Sequence, residues 1–159
     1  MKKITPIEKE IQSTFKNEYH KLLVNIHLTS SRLGEVLQEE MKKHDITSTQ
    51  YNVLRILRGQ HPNAVNIGVI KERMIERSSD VSRIIERLVK KNLIERKENQ
   101  QDRRQKDVRI SDKGLQILAE TDKIDHHIKD LLGHLSNSEA QQLNTLLDKA
   151  RASCPKHTV

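Results

Sequence analysis

A cluster of arginine, lysine and serine side chains lies between residues 71 and 109, and these side chains are the ones in this sequence best suited to bind another molecule. The segment contains thirteen basic and eight acidic residues, so it supplies +5 of the formal net charge of +7 carried by 159 residues. Guanidinium and ammonium groups pair with phosphate oxygens, and short hydroxyl side chains let a helix N-terminus approach an anion. Because the rest of the chain contributes only +2, the sequence predicts a localised phosphate-binding surface.

The first part of this cluster lies on a predicted helix over residues 79–91. Its apolar residues recur at helical spacing and define a buried face: Val81, Ile84, Ile85, Leu88 and Val89. The opposite face and the N-terminal end carry candidate DNA-binding residues, which are Ser78, Ser79, Ser82, Arg83, Arg87 and Lys90. Either Arg83 or Arg87 could donate two hydrogen bonds to guanine in a major groove. A solvated amphipathic helix without a ligand is the alternative interpretation.

The second part of the cluster begins where the spacing of the apolar residues changes from a helical pattern to a strand pattern. Two strand patterns, over residues 93–97 and 107–110, are separated by nine residues without an apolar side chain. This spacing predicts a β-hairpin with a long, charged tip. Its candidate DNA-binding residues are Asp102, Arg103, Arg104 and Lys106. An exposed arginine can enter a narrow minor groove, and a nearby carboxylate can hold its guanidinium in one direction.

A long helical pattern precedes the cluster. It begins with Thr5 as the N-cap and continues to about Lys43, with a break expected near Asn17 or Gly34. At a rise of 1.5 Å per residue, the helix would be about 55 Å long. Such a helix is too long to be buried against one small domain, so an arm that packs on another subunit is its natural use.

Shorter helices complete the predicted order, and each begins at a residue whose side chain can accept from an unpaired backbone N–H. The predicted N-caps are Thr47, Asn66, Ser78 or Ser79, Ser111 and Ser136, with Gly59 expected at the C′ position of the second helix. The resulting order is H1-H2-H3-H4-β-β-H5-H6. It predicts a mainly α protein with a small β-hairpin wing, which is a winged helix-turn-helix architecture.

Three segments of the sequence resemble the MarR family of bacterial transcriptional regulators. They are residues 47–54, 78–93 and 102–114. The wing signature of that family is Asp-x-Arg, a short strand and then Leu-Thr-x-x-Gly. Asp102 and Arg104 fill its first part, whereas Ile110-Ser111 replaces Leu-Thr. Because serine also caps helices, this departure is mild.

The resemblance implies an obligate homodimer that binds a pseudo-palindromic operator in double-stranded DNA, most simply as a repressor. It assigns residues 1–45 to an N-terminal dimerisation helix, residues 46–111 to a winged DNA-binding region and residues 112–159 to C-terminal dimerisation helices. Regulators that resemble this family often respond to a small-molecule effector. Small phenolic ligands bind between the dimer arms and the winged domain, but only Phe15, Tyr19 and Tyr51 could form aromatic walls here.

A metal-responsive or protein-interaction module with a merely solubilising basic face is the alternative function. His126, Asp130 and His134 recur at i, i+4 and i+8 and could offer ligands to Zn²⁺. Three ligands on one helix span about 12 Å, however, and need help from elsewhere to reach one ion. No cofactor is expected. Cys154 is the only cysteine and does not lie in the first helix, where oxidant-sensing members carry theirs.

Composition and motif searches exclude several other classes of protein. Five glycines and three prolines are few for a β-sandwich, and a single cysteine excludes an internal disulfide framework. No P-loop, glycine-rich fingerprint or His-Glu-x-x-His motif occurs, so an enzyme is not expected. The N-terminus has no signal-peptide pattern and no apolar stretch is long enough for a membrane helix. The sequence therefore predicts a soluble, cytoplasmic protein.

Overall fold

The structure is a computed structural model that describes residues 4–76, 80–99, 106–121 and 124–154, with the backbone alone for residues 124–127. The chain divides into two compact units, Met1–Asp122 and Lys123–Val159. The elements in chain order are α1 (Ile7–Glu10), α2 (Glu18–Lys43), α3 (Ser48–Arg58), β1 (Val65–Asn66), α4 (Ile67–Arg73), α5 (Val81–Lys90), β2 (Ile94–Glu98), β3 (Lys106–Ile110), α6 (Asp112–Thr121), α7 (Ile124–Leu131) and α8 (Asn137–Ala152). The predicted winged helix-turn-helix fold is confirmed.

The predicted N-terminal helix is divided into a short α1 and a long α2. The break expected near Asn17 is confirmed, because its side chain accepts from the backbone N–H of His20 at 2.9 Å and starts α2. No break occurs at Gly34, which lies within α2. The N-cap of α1 is Pro6 rather than Thr5, and it makes no side-chain capping bond. Two ion pairs hold α1 against α2: Lys21 with Glu8 and Arg32 with Glu10.

Helix α5 ends in a left-handed residue that turns the chain directly into the sheet. Asn92 has a φ of 59°, and the N–H of Leu93 donates to the carbonyl of Leu88 at 3.0 Å, as in a Schellman motif. Asp45, with a φ of 53°, follows α2 in the same way. Gly59 was expected to play this role after α3, and that expectation is wrong. Its φ of −65° is right-handed, because the chain leaves α3 through a further right-handed turn.

The core of the first unit is aliphatic and lies between the sheet and helices α3 to α6. Helix α5 contacts α3, α4 and β2, while α6 packs on α3. The sheet is antiparallel with the strand order β1-β3-β2, so it contains one strand more than the predicted hairpin. Within this part of the unit, the most fully buried apolar side chains come from five elements (α3, α4, α5, β3 and α6) and the turn before β2: Val53, Leu54, Leu57, Ile70, Ile85, Leu88, Leu93, Val108 and Leu118.

The second unit contains α7 and α8, and none of the residues of α8 is buried. Its capping box is confirmed: Ser136 Oγ accepts from the N–H of Glu139, whose carboxylate accepts from the N–H of Ser136. The helix predicted over residues 111–132 is described as two helices, α6 and α7, with residues 122 and 123 between them outside the described part. Among the described helices, none is both long and apolar enough to cross a membrane.

Gly114 allows the first turn of α6 to lie directly against the chain at the start of β2. A Cβ atom added at Gly114 would lie 2.3 Å from the carbonyl oxygen of Leu93 and 2.8 Å from a side-chain carbon of Ile110. The first of these neighbours is backbone and cannot move alone. The glycine is therefore required by close packing rather than by an unusual φ.

We expect Gly114→Ala to lower the free energy of unfolding by about 1–3 kcal/mol, because the added methyl group must push α6 away from β2. Urea unfolding followed by circular dichroism measures this loss. Gly34→Ala is the matched control. A Cβ at Gly34 meets nothing within 4 Å, so this change in mid-helix should stabilise α2 by about 0.5–1 kcal/mol. Equal effects of the two substitutions would contradict this account of Gly114.

Candidate nucleic-acid interface

Helix α5 presents a sharply divided surface. Val81, Ile85 and Leu88 are buried on its inner side. The outer side carries Ser82, Arg83, Glu86, Arg87 and Lys90, all of which are exposed. Because Arg83 and Arg87 are four residues apart, they lie on one face about 6 Å apart along the helix axis. This spacing suits side chains that reach neighbouring groups in a major groove.

The N-terminal end of α5 differs from the sequence prediction. Asp80 is the N-cap, and its Oδ1 accepts from the backbone N–H of Arg83 at 3.1 Å. Ser78 and Ser79, which were expected to include the cap, lie outside the described residues. The observed N-cap is therefore one or two residues later than predicted. A carboxylate suits this position, because it accepts the N–H and is attracted to the positive end of the helix dipole.

The chain just after α4 is anchored by a residue that the sequence analysis did not single out. Asn52 lies within α3, and its Oδ1 accepts from the backbone N–H of Ile75 at 3.1 Å. This bond links α3 to the chain between α4 and α5. A polar residue within the apolar pattern of α3 was the only available signal for it.

The structure describes only one of the four candidate DNA-binding residues predicted for the wing, Lys106. Strands β2 and β3 pair in register from Ile94 opposite Ile110 to Glu98 opposite Lys106. Lys106 is half-buried, and its Nζ lies 2.6 Å from Glu98 Oε1. Arg109 and Glu95 form a second cross-strand ion pair. The candidates at the hairpin tip, Asp102, Arg103 and Arg104, lie outside the described residues.

The ion pair of Glu98 and Lys106 has an electrostatic consequence. The hydrogen bond from Lys106, together with its positive charge, lowers the pKa of the Glu98 carboxyl below its usual value. Because the folded-state pKa is lowered, the pair stabilises the hairpin at neutral pH, and this contribution is lost as the pH falls through that pKa. At neutral pH, Lys106 is therefore engaged within the wing.

The histidine set does not form one continuous helical face. Asp130 is exposed in α7, which ends at Leu131, and His134 lies in the turn that follows. His126 is in α7, but its side chain is outside the description. Among the described residues, no three histidine, cysteine, aspartate or glutamate side chains come together as a metal site.

Comparison with known proteins agrees with this geometry. A family model described as the MarR family matches residues 46–106, from the end of the α2–α3 turn to the start of β3. The HTH-type transcriptional repressor MdtR of Bacillus subtilis (strain 168) is 35% identical over 97 residues, covering 58% of this chain. The winged region of this chain is therefore similar to the MarR family. The aligned segment spans 61% of the length of MdtR.

Solved structures extend the MarR likeness beyond the winged region. A MarR-like transcription regulator from Bacillus cereus ATCC 10987 has a TM-score of 0.77 at 22% identity, covering 87% of this chain and 99% of its own. A mutant of MarR from E. coli in complex with operator DNA has a TM-score of 0.74 at 28% identity, with coverage of 87% and 99%. The MarR fold therefore includes the flanking helices as well as the wing.

We expect Asp80→Ala to lower the free energy of unfolding by about 1 kcal/mol, because it removes the acceptor for the Arg83 N–H. Asp80→Asn retains an acceptor of the same shape and should recover most of the loss. Chemical unfolding of the three proteins at pH 7 measures both effects. An alanine variant as stable as the parent would show that another residue caps α5.

Proposed function

We propose that this protein is a sequence-specific, double-stranded DNA-binding transcriptional regulator, most simply a repressor. The observation that carries the proposal is the exposed basic face of α5, held in a winged-helix fold by a fully apolar inner face. MdtR is named as a transcriptional repressor, and the E. coli MarR mutant is bound to operator DNA. Both relatives therefore support DNA regulation rather than enzymatic activity.

In the proposed complex, α5 enters the major groove and the wing approaches the neighbouring minor groove. Arg83 and Arg87 read base edges, while Ser82 and Lys90 contact phosphates. The wing contributes contacts from its strand and tip. The full proposed set is Ser78, Ser79, Ser82, Arg83, Arg87, Lys90, Asp102, Arg103, Arg104 and Lys106. No observation favours the alternative of a metal-responsive or protein-interaction module.

The same proposal includes a homodimer. Leu22 and Leu23 on α2 are 48% and 56% exposed, and Leu143 and Leu146 on α8 are 44% and 61% exposed. Large leucine side chains repeated along two helices are typical of surfaces that another chain covers. We assign dimerisation to residues 1–45 and 112–159, and DNA binding to residues 46–111. Helix α6 contributes Leu118 to the core of the first unit, so its role is shared.

Selection of bound sequences from a random duplex pool tests the function and the symmetry together. A homodimer with two winged regions should recover a dyad whose half-sites are about one helical turn apart. A DNA-bound role places the protein in the cytoplasm, and release by a small-molecule effector would complete the regulatory cycle. Failure to enrich any sequence, with no shift of random duplex at low salt, would overturn the proposal.

We expect Arg83→Ala and Arg87→Ala to weaken binding and to relax base preference by about 1–3 kcal/mol at one position each. Arg83→Lys retains the charge but loses the bidentate geometry, so it should lose preference more than overall affinity. Arg104→Ala should weaken binding to all sequences alike. Fluorescence anisotropy with the selected site and single-base variants measures these effects. Lys129→Ala, which removes an exposed charge from α7, is the control. Unchanged affinity in all three alanine variants would remove these residues from the interface.

Glu98→Gln should strengthen DNA binding, because it releases Lys106 from its ion pair and removes a negative charge from the wing. If Lys106 then neutralises one more phosphate, the slope of log affinity against log salt should steepen by about 0.9. Anisotropy titrations between low and moderate KCl measure the slope. Glu139→Gln makes the same charge change and keeps the capping box of α8, so it should leave the slope unchanged. A weaker or unaltered Glu98→Gln complex would contradict the release of Lys106.

A further inference from the structure

The exposed face of α5 contains one acidic side chain among its basic ones. Glu86 is the only acidic residue of this helix, and it is exposed together with Ser82, Arg83, Arg87 and Lys90. Because successive residues turn by about 100°, Glu86 lies about 40° around the helix from both Ser82 and Lys90. The carboxylate is therefore inside the surface that the proposed function places against DNA, and not at its border.

The Glu86 carboxylate has no partner within the described part of the protein. No ion pair or hydrogen bond joins its side chain to a residue in the ranges 4–76, 80–99, 106–121 and 124–154. Arg83 at i−3 and Lys90 at i+4 have the spacing of helical ion pairs, yet neither pair is formed. Glu86 also lies beyond the first turn of α5, so the helix dipole does not favour a negative charge there. The stability of the helix therefore does not explain this carboxylate.

An unpaired carboxylate is unfavourable on a surface that binds DNA. Phosphates are negatively charged and like charges repel, so Glu86 lowers the affinity of α5 for every sequence alike. This cost is offset only where the carboxylate meets a hydrogen-bond donor. An ionised carboxylate is an acceptor only, and the base donors in the major groove are the N4 amino group of cytosine and the N6 amino group of adenine. The charge of Glu86 therefore restricts its partner to two bases.

Cytosine suits a carboxylate better than adenine does. Adenine presents the acceptor N7 beside its amino group, so the second carboxylate oxygen would face another acceptor. Cytosine presents only its amino group, and its partner guanine presents the acceptors O6 and N7. Arg83 lies about 4.5 Å from Glu86 along the helix axis and can donate to guanine while Glu86 accepts from cytosine. An acidic and a basic side chain on one face are thus complementary to C·G pairs.

We propose that Glu86 is a specificity-determining residue that accepts a hydrogen bond from N4 of a cytosine in the major groove, next to a guanine contacted by Arg83 or Arg87. The proposal rests on the proposed function, since it requires α5 to lie in that groove. The effect of Glu86 differs from that of the basic residues. It weakens binding to most sequences, and the loss is offset where cytosine occupies one position, so it increases selectivity rather than the maximum affinity.

Selection from a random duplex pool with the parent, Glu86→Gln and Glu86→Ala identifies the position that Glu86 recognises. The parent should prefer cytosine there by about five- to tenfold, at the lower end of the discrimination that good base contacts give. Glu86→Gln should shift the preference toward adenine, because an amide donates to N7 and accepts from N6. Glu86→Ala should have no preference there and should bind the sites without cytosine more tightly than the parent does, since the repulsion is removed. An unchanged selected sequence in both variants would overturn the proposal.

Modified DNA tests the same contact without a change in the protein. In N4-methylcytosine the methyl group replaces the amino hydrogen that faces the major groove, while the pairing with guanine is kept. At the recognised position it should weaken the parent complex by about five- to tenfold and leave the Glu86→Ala complex unchanged, so the two changes should not be additive. Fluorescence anisotropy at constant KCl concentration measures the four affinities. Equal losses for the two proteins would contradict a direct contact.

Glu72→Gln is the matched control for charge. Glu72 is exposed in α4 and lies outside α5, so the same loss of one negative charge should leave the selected sequence unchanged. Thermal unfolding shows whether each variant is folded, and the exposure of Glu86 predicts unchanged midpoints. If both glutamine variants strengthen binding to all sequences alike, Glu86 acts only as a repulsive charge, which overturns the proposal and leaves the proposed function standing. Absence of DNA binding by the parent would instead overturn the proposed function.

Discussion

The burial of one face of α5 determines where every other functional side chain of that helix lies. Val81, Ile85 and Leu88 are each 5% exposed or less. Burying such a side chain contributes about 1.5–3 kcal/mol, whereas an exposed ion pair contributes about 0–1 kcal/mol. Packing therefore outweighs surface electrostatics in setting the rotation of the helix. The arginines point outward because the aliphatic face must point inward.

The residues at the two ends of α5 fix where the helix begins and where the chain leaves it for the wing. Asp80 starts the helix and Asn92 reverses the chain after it, so that Leu93 is buried immediately before β2. The wing therefore begins at a set distance from the last turn of α5. Gly114 and the pairing of β3 with β2 return the chain to the same core. One continuous apolar cluster thus relates the exposed face of α5 to the paired strands of the wing.

The sequence predicted the elements whose signals are local. The apolar period of α5 and the capping boxes at Thr47 and Ser136 depend on residues within one or two turns, and the structure confirms them. Strand β1 was missed because two residues are too few to show the alternation of apolar and polar residues that indicates a strand. Its partner, β3, also lies far away in the sequence, since Val65 pairs with Val108. Asp80 was missed as a cap because neighbouring serines offer the same signal. The DNA-binding roles of the whole candidate set, on α5 as well as at the hairpin tip, stay predictions.

Phosphate contacts add affinity for every sequence, whereas base contacts discriminate among sequences. In the proposed complex, Arg83 and Arg87 lie one turn apart on the exposed face of α5 and contact base edges, while Ser82 and Lys90 contact phosphates. The base preference that these four residues supply therefore depends on the two arginines. The overall affinity depends on the helix rotation that the buried face of α5 imposes on all four side chains.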